Sequence, residues 1–299
     1  MDEALQPINV QTGKQRLKSY SNNPFSLILA VLVGVSALLT VLTLVFIIGY
    51  ILMKGIPNLN LDLFQLEYNS ENVSMFPSII NTVCMTALSL LIAGPLGIFA
   101  AVYLVEYAKK GNKLVALVRV TAETLTGIPS IVYGLFGMLF FVNTLHWGFS
   151  MLAGAFTLAI MVLPVIMRTT EEALMSVPDM YREASFGLGA GKLRTIFVVI
   201  LPSAVPGILS GIILSVGRIV GETAALMYTA GTVAELPASV MSSTRTLSVH
   251  MYTLSREGLY INQAYATAVV LLLIVLLINW ISGRIARKIK PANKKSRLN

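Results

Sequence analysis

The sequence predicts an all-α membrane protein with six transmembrane helices. Three observations carry that prediction. Of the 299 residues, 56% are hydrophobic and only 12% are charged, with a mean hydropathy of +0.77, whereas a soluble domain carries about 25% charge. Apolar runs long enough to cross a hydrocarbon core about 30 Å thick recur along the chain. The basic residues gather at the ends of those runs, where they orient a membrane protein. That distribution argues against nucleic acid as a partner, despite the net charge of +8.

Residues 1–25 hold Lys14, Arg16 and Lys18 without an apolar period and read as a cytoplasmic tail; the long run after them is no cleavable signal. The transmembrane domain covers 26–285 and opens with helix 1, Ser26 to Met53, almost uniformly apolar. Lys54 to Met75, with Pro57, Asp62, Glu67 and Glu71, suits the outer face. Helix 2 runs from Phe76 to Tyr107 with a kink expected at Gly94-Pro95, and Lys109, Lys110 and Lys113 close it inside. Helix 3, Leu114 to Asn143, carries Glu123 and then Gly127-Ile128-Pro129-Ser130, where the proline should free the Leu125 carbonyl. Such a broken helix is tolerated where it faces protein or a wet cavity.

After an outer turn at His146-Trp147-Gly148, helix 4 spans Phe149 to Met167. A polar stretch from Arg168 to Pro202 follows, then helix 5 from Ser203 to Thr232, an outer loop over 233–260, and helix 6 from Ile261 to Ile285. Residues 286–299 form a basic cytoplasmic tail. Cys84, the one cysteine, lies in an apolar run and is expected to be a buried structural thiol. His146 and His250 are too few and too far apart to suggest a metal site, and no cofactor is expected.

Six crossings put both termini on one side. Eighteen of the basic residues fall on that side and only Lys54, Arg245 and Arg256 on the other. The positive-inside rule therefore places the termini and the 168–202 stretch in the cytoplasm. Within that stretch Val177 to Phe186 reads as a short helix, with Pro178 at its first position and Asp179 at the positive end of the dipole. Gly187, Gly189 and Gly191 should end it and turn the chain. Two readings stand at this point: a plain connector between helices 4 and 5, or a functional knob, which its length favours.

The spacing here resembles a known family. Glu183-Ala184-Ser185, then Gly189, then Leu201-Pro202 matches the EAA loop of ABC importer permeases, with Ser185 for the second alanine and Val199 for an isoleucine. The resemblance implies the type I ABC importer permease (MetI-like) fold. It also implies a coupling helix that docks on a separate ATPase subunit through Tyr181, Arg182, Glu183, Ala184, Ser185 and Gly189. Three further stretches resemble phosphate-specific importer permeases: Ala122 to Gly137, Gly217 to Ala224, and Arg168 before the loop. Gly221 to Ala230 is similar to the PstA type more than to PstC. That likeness implies a heterodimer with a PstC-like permease, two PstB-like ATPase subunits and a PstS-like phosphate-binding protein. The chain itself lacks a P-loop and is not expected to be an enzyme.

The residues supply an anion path of their own. On a helical wheel at about 100° per residue, Gly207, Ser210, Gly211, Gly217, Arg218, Gly221, Glu222 and Thr229 fall within roughly 140°. Small residues allow close helix approach, and Arg218 and Glu222 at i and i+4 can bond each other. Either this pair is a structural salt bridge, or Arg218 offers its planar fork to a passing phosphate with Glu222 holding it. Arg168 is a second electrostatic step or a snorkelling positive-inside residue. Glu123 pairs with an arginine or faces an inner cavity, and the broken segment with Ser130, together with Thr223, lines the path or only packs. Sulfate or molybdate as cargo stays open, as does a membrane enzyme acting on a lipid phosphate.

Overall fold

A computed structural model describes residues 24–109 and 111–289. The tail residues Lys14, Arg16 and Lys18, then Lys110, and Lys290, Lys294, Lys295 and Arg297 lie outside the described residues. Every regular element among the described residues is helical. Five helices are long and apolar enough to cross a membrane singly, and a bent pair counted as one span brings the number to six. The chain is an all-α membrane protein.

The chain divides into two units, Met1–Met53 and Lys54–Asn299. The first holds most of α1 (Pro24–Gly55), which is apolar on all sides, as befits a membrane-spanning helix. Its Thr40 and Thr43 turn their hydroxyls back onto the Ser36 and Leu39 carbonyls, each at 2.8 Å, so neither presents a bare donor.

The second unit begins with two short 3-10 turns and then α2 (Phe76–Tyr107), whose last turn is π-helical. Pro77 suits its first turn, and the helix runs on through Pro95 without a break. Next come α3 (Lys113–Thr126), capped by the Asn112 side chain at 2.9 Å from the Leu114 N–H, and α4 (Ser130–Thr144). These are the halves of the third crossing, and their axes differ by 103°. The cause is local. Pro129 has no N–H to give, and the Leu125 carbonyl accepts instead from the Tyr133 hydroxyl at 2.7 Å and the Ile128 N–H at 3.2 Å. The break thus satisfies its own backbone within protein.

The turn after α4 places His146 and Gly148 at positive φ (56° and 63°) beneath a cluster of Phe141, Trp147 and Phe156. Ser150 then caps α5 (Met151–Met175). This helix continues past the expected end at Met167, so Arg168 to Met175 is helix and not loop. The remainder is α6 (Asp179–Gly187), α7 (Lys192–Val220), α8 (Ala224–Met227), α9 (Leu247–Glu257) and α10 (Ile261–Ile289).

α5 is the centre of this unit, packed against α2 on one flank and α7 on the other. The core along it is Met85, Leu158, Met161, Ile166, Ile219 and Leu226, all buried. α7 approaches so closely that a methyl on Gly211 would collide with the Thr169 hydroxyl, which explains why the sequence has glycine there. At one end α2 meets α6 through Glu106 and Arg182. At the other end, about 38 Å away at 1.5 Å per residue, Asn81 donates to the Glu235 and Arg245 carbonyls at 3.2 and 3.3 Å.

Three expectations need correction. The fifth crossing starts earlier, at Lys192, and ends earlier, at Val220, because Gly221 closes the helix and the chain leaves its axis. Pro178 is the cap before α6, leaving Asp179 in its first position, since the proline keeps an extended ψ of 139°. Cys84 is exposed and not buried, because the face of α2 that meets α5 runs through Met85 and Ser89.

Candidate functional site

Arg218 sits in the last turn of α7, half-buried. It does not pair with Glu222. The expected i and i+4 relation fails because the helix ends between them: the Glu222 N–H bonds back to the Ile219 carbonyl at 3.1 Å in a tightened turn. Glu222 then serves the next element. Its Oε1 accepts from the Ala225 N–H at 3.1 Å, capping α8, and its carbonyl accepts from the Ser248 hydroxyl at 2.6 Å. Among the described residues no carboxylate lies within ion-pair distance of Arg218.

The bent third crossing supplies the surroundings of this cation. Gly134 of α4 approaches α8 so closely that a methyl there would lie 2.8 Å from the Ala225 Cα. The Tyr133 hydroxyl, one turn into α4, is close enough to Arg218 to interact with its charge. Ser130 opens α4 and is half-buried, as is Thr223 at the start of α8. The expected small polar arc divides in two. Gly207 and Gly211 meet Ala173 and Thr169 of α5, whereas Ser210 is exposed and Gly217 and Gly221 have no side chain packed on them. Thr229 leaves the arc: it is buried beyond α8, bonded to the Ala225 carbonyl at 2.8 Å.

A second charged group lies between α3 and α5. Arg168 Nε is 3.2 Å from Glu172 and its Nη1 is 3.4 Å from Glu123. All three are exposed, so each contact is worth under about 1 kcal/mol. Beside them Arg119 meets the buried Glu171 at 2.5 Å, an ionic contact without hydrogen-bond alignment. These residues line a cavity of about 290 Å³ together with Ala122, Met167 and Met175. Arg168 is therefore compensated, in contrast to Arg218.

The EAA helix, α6, presents two different faces. Arg182 points inward. Its Nη2 bonds Glu106 at 2.7 Å and the Leu174 carbonyl at 3.1 Å, and its Nη1 bonds the Val177 carbonyl at 2.9 Å and Asp179 at 3.1 Å. Ser185 likewise bonds the buried Thr195 at 2.8 Å. Those two expected coupling residues hold the knob onto α2 and α7. Tyr181, Glu183 and Ala184 are exposed, and Gly189 adopts φ +81°, which lets the chain reverse after α6. Sequence reasoning passed over the apolar part of this surface: Met180, Phe186, Leu188 and Leu193 are all exposed, Leu188 at 90%. The available signal was four apolar residues set among the charged and glycine residues of this polar stretch.

The model of the family described as "Binding-protein-dependent transport system inner membrane component" matches residues 93–291, two thirds of the chain, including every group above. The chain belongs to this family. It is 34% identical over 279 residues to the probable ABC transporter permease protein YqgI of Bacillus subtilis, covering 86% of this chain and 94% of that one. It is 31% identical over 269 residues to the phosphate transport system permease protein PstA of Haemophilus influenzae, with 89% and 95% covered. Within the family the chain is thus of the PstA type. The fold matches a permease chain of a bacterial alginate ABC transporter, with a TM-score of 0.67 at 17% identity over 91% of this chain and 98% of that one. It also matches the inward-facing MetNI methionine transporter, with a TM-score of 0.56 at 21% identity over 73% and 94%. The fold is that of a type I (MetI-like) importer permease.

Proposed function

We propose that this ABC importer permease conducts inorganic phosphate across a prokaryotic cytoplasmic membrane by ATP-driven alternating access. The observation that carries the reading is Arg218, a half-buried guanidinium with no carboxylate partner among the described residues, held where α7 ends against the broken third crossing. A cation in that position favours an anion, and its fork matches two oxygens of a tetrahedral ion. The relatives named as phosphate transport permeases support phosphate as that anion.

In this reading the α6 end faces the cytoplasm, as the basic residues indicate. The exposed surface of Tyr181, Glu183, Ala184, Leu188 and Gly189 docks on a PstB-like ATPase, two copies of which drive a heterodimer with a PstC-like permease. A PstS-like protein delivers phosphate at the opposite end. ATP binding moves the knob, and α7, which is continuous with the chain leaving it, carries the movement to Arg218. Ser130 and Thr223 add hydroxyls beside the path. Arg168, balanced by Glu123 and Glu172, offers a weaker inner step. Glu222 acts by fixing the turn after Arg218 and not by pairing with it. Membership in a transport family speaks against the enzyme alternative.

The test is uptake of radiolabelled phosphate by the reconstituted complex, with sulfate and molybdate as competitors. Phosphate uptake resistant to both is expected. Uptake abolished by sulfate or molybdate at equal concentration would reassign the cargo.

A further inference from the structure

A second unpaired guanidinium lies at the end of the molecule opposite α6. Arg245 is 4% exposed, and among the described residues no carboxylate is within ion-pair distance. Its Nε and Nη2 are buried without a hydrogen-bond partner. These two N–H groups point in the same direction and form the side of the guanidinium that receives two oxygens of one ligand. Leaving both bare in a buried site is unfavourable unless a ligand takes them.

The surroundings are polar and nearly uncharged. His250, buried beside Arg245, also has both ring nitrogens unpartnered. Its ring faces the Val73 carbonyl without reaching hydrogen-bond geometry, and burial followed by the charge of Arg245 keeps it neutral, with a pKa of about 3. The Ser78 and Thr244 hydroxyls are buried and unpartnered as well. Arg245 is compensated in part by the Tyr68 ring, whose centroid is 4.7 Å from the guanidinium carbon, a cation–π contact. Tyr68 also lines an outer cavity of about 410 Å³ that Arg245 does not reach. The segment carrying Tyr68 is firmly built: the Asn72 side chain accepts from the Asn69 and Ser74 N–H groups, both at 3.0 Å, and holds the buried Val73 at a strained φ of 47°.

We propose that Arg245 is the seat of a small tetrahedral oxyanion of the phosphate class, with the Tyr68 ring as a movable cover between it and the outer cavity. The ligand exchanges the ring's face for two charge-assisted bonds to Nε and Nη2. Glu67 and Glu235 line the same cavity and oppose an anion on its way in, so the seat fills only when the ring swings aside. This seat does not depend on the role given to Arg218, which sits at another level of the molecule.

Phenylglyoxal labelling of guanidinium groups in the purified transporter complex, read by peptide mapping, tests it. Arg245 should label slowly in the wild type and several-fold faster in Tyr68→Ala. Inorganic phosphate should slow that labelling several-fold, and chloride at equal ionic strength should not. Glu67→Gln should deepen the protection. If Tyr68→Ala fails to assemble, Tyr68→Leu keeps most of the volume while removing the aromatic face, with the same readout. Arg245 remaining unreactive in both variants would overturn the cover. Labelling unaffected by phosphate, or slowed equally by chloride, would overturn the seat. Chymotryptic cleavage after Tyr228 puts Arg218 on a different peptide, so its protection is scored separately and the two proposals can fail independently.

Discussion

Replacing Arg182 separates two roles that its place in the EAA helix would otherwise merge. In the structure the guanidinium is 16% exposed and the Glu106 carboxylate 8%. Arg182→Met leaves that carboxylate buried without its cation and deprives the Leu174 and Val177 carbonyls of a donor. Breaking a buried pair by removing one partner costs about 3–5 kcal/mol. The loss should be local, because Arg182 ties α6 to the ends of α2 and α5 and touches neither the central core nor Arg218. Hydrogen exchange of residues 176–191 in the purified complex is the assay. Protection there should fall by two to three orders of magnitude, since about 1.4 kcal/mol is a factor of ten. Adding Glu106→Gln should restore much of it, because no uncompensated charge remains. Exchange unchanged in Arg182→Met, with ATPase binding lost, would refute the internal role and return Arg182 to the docking surface.

Other consequences follow from the same geometry. Gly211→Val should destabilise the α5–α7 contact by about 1–3 kcal/mol through overpacking, read as a lowered unfolding temperature; an unchanged temperature would mean the helices can part at Thr169. His250 has a folded pKa of about 3, below its ordinary value of 6.5, so the unfolded chain binds the extra proton as the pH falls between the two. Stability should be unaffected above pH 6.5 and lost progressively below it, by about 2 kcal/mol at pH 5. His250→Gln should flatten that dependence in acid-denaturation curves. Glu183→Lys, on the exposed face of α6, and Leu188→Asp, just past its end, should release the ATPase in co-purification without changing the fold. Retention of a normally coupled ATPase would contradict the docking surface.

The fold was largely legible in the sequence because hydrocarbon imposes simple demands. Length and apolarity placed the crossings, and Pro129 announced the break in the third one. What could not be read was its sharpness: the 103° turn depends on the Tyr133 hydroxyl reaching the Leu125 carbonyl, a contact set by tertiary approach at Gly134. The periodicity of the fifth crossing ran on past Gly221, so Arg218 and Glu222 looked like partners on one helix. The competing bonds came from Ala225 and Ser248, the second of them distant in sequence. For the same reason Arg182 looked like a docking residue, whereas the carboxylate that claims it belongs to the end of α2. Arg245 gave no periodic signal, since it precedes α9 in an irregular segment.

The role of Arg218 is decided by uptake of radiolabelled phosphate into proteoliposomes bearing the Arg218→Lys complex. Lysine keeps the charge but loses the planar pair of donors, each charge-assisted bond being worth about 1.5–3 kcal/mol, so uptake should fall by roughly tenfold or more. The ATPase should still assemble. Uptake at the wild-type rate, with the complex intact, would contradict the account.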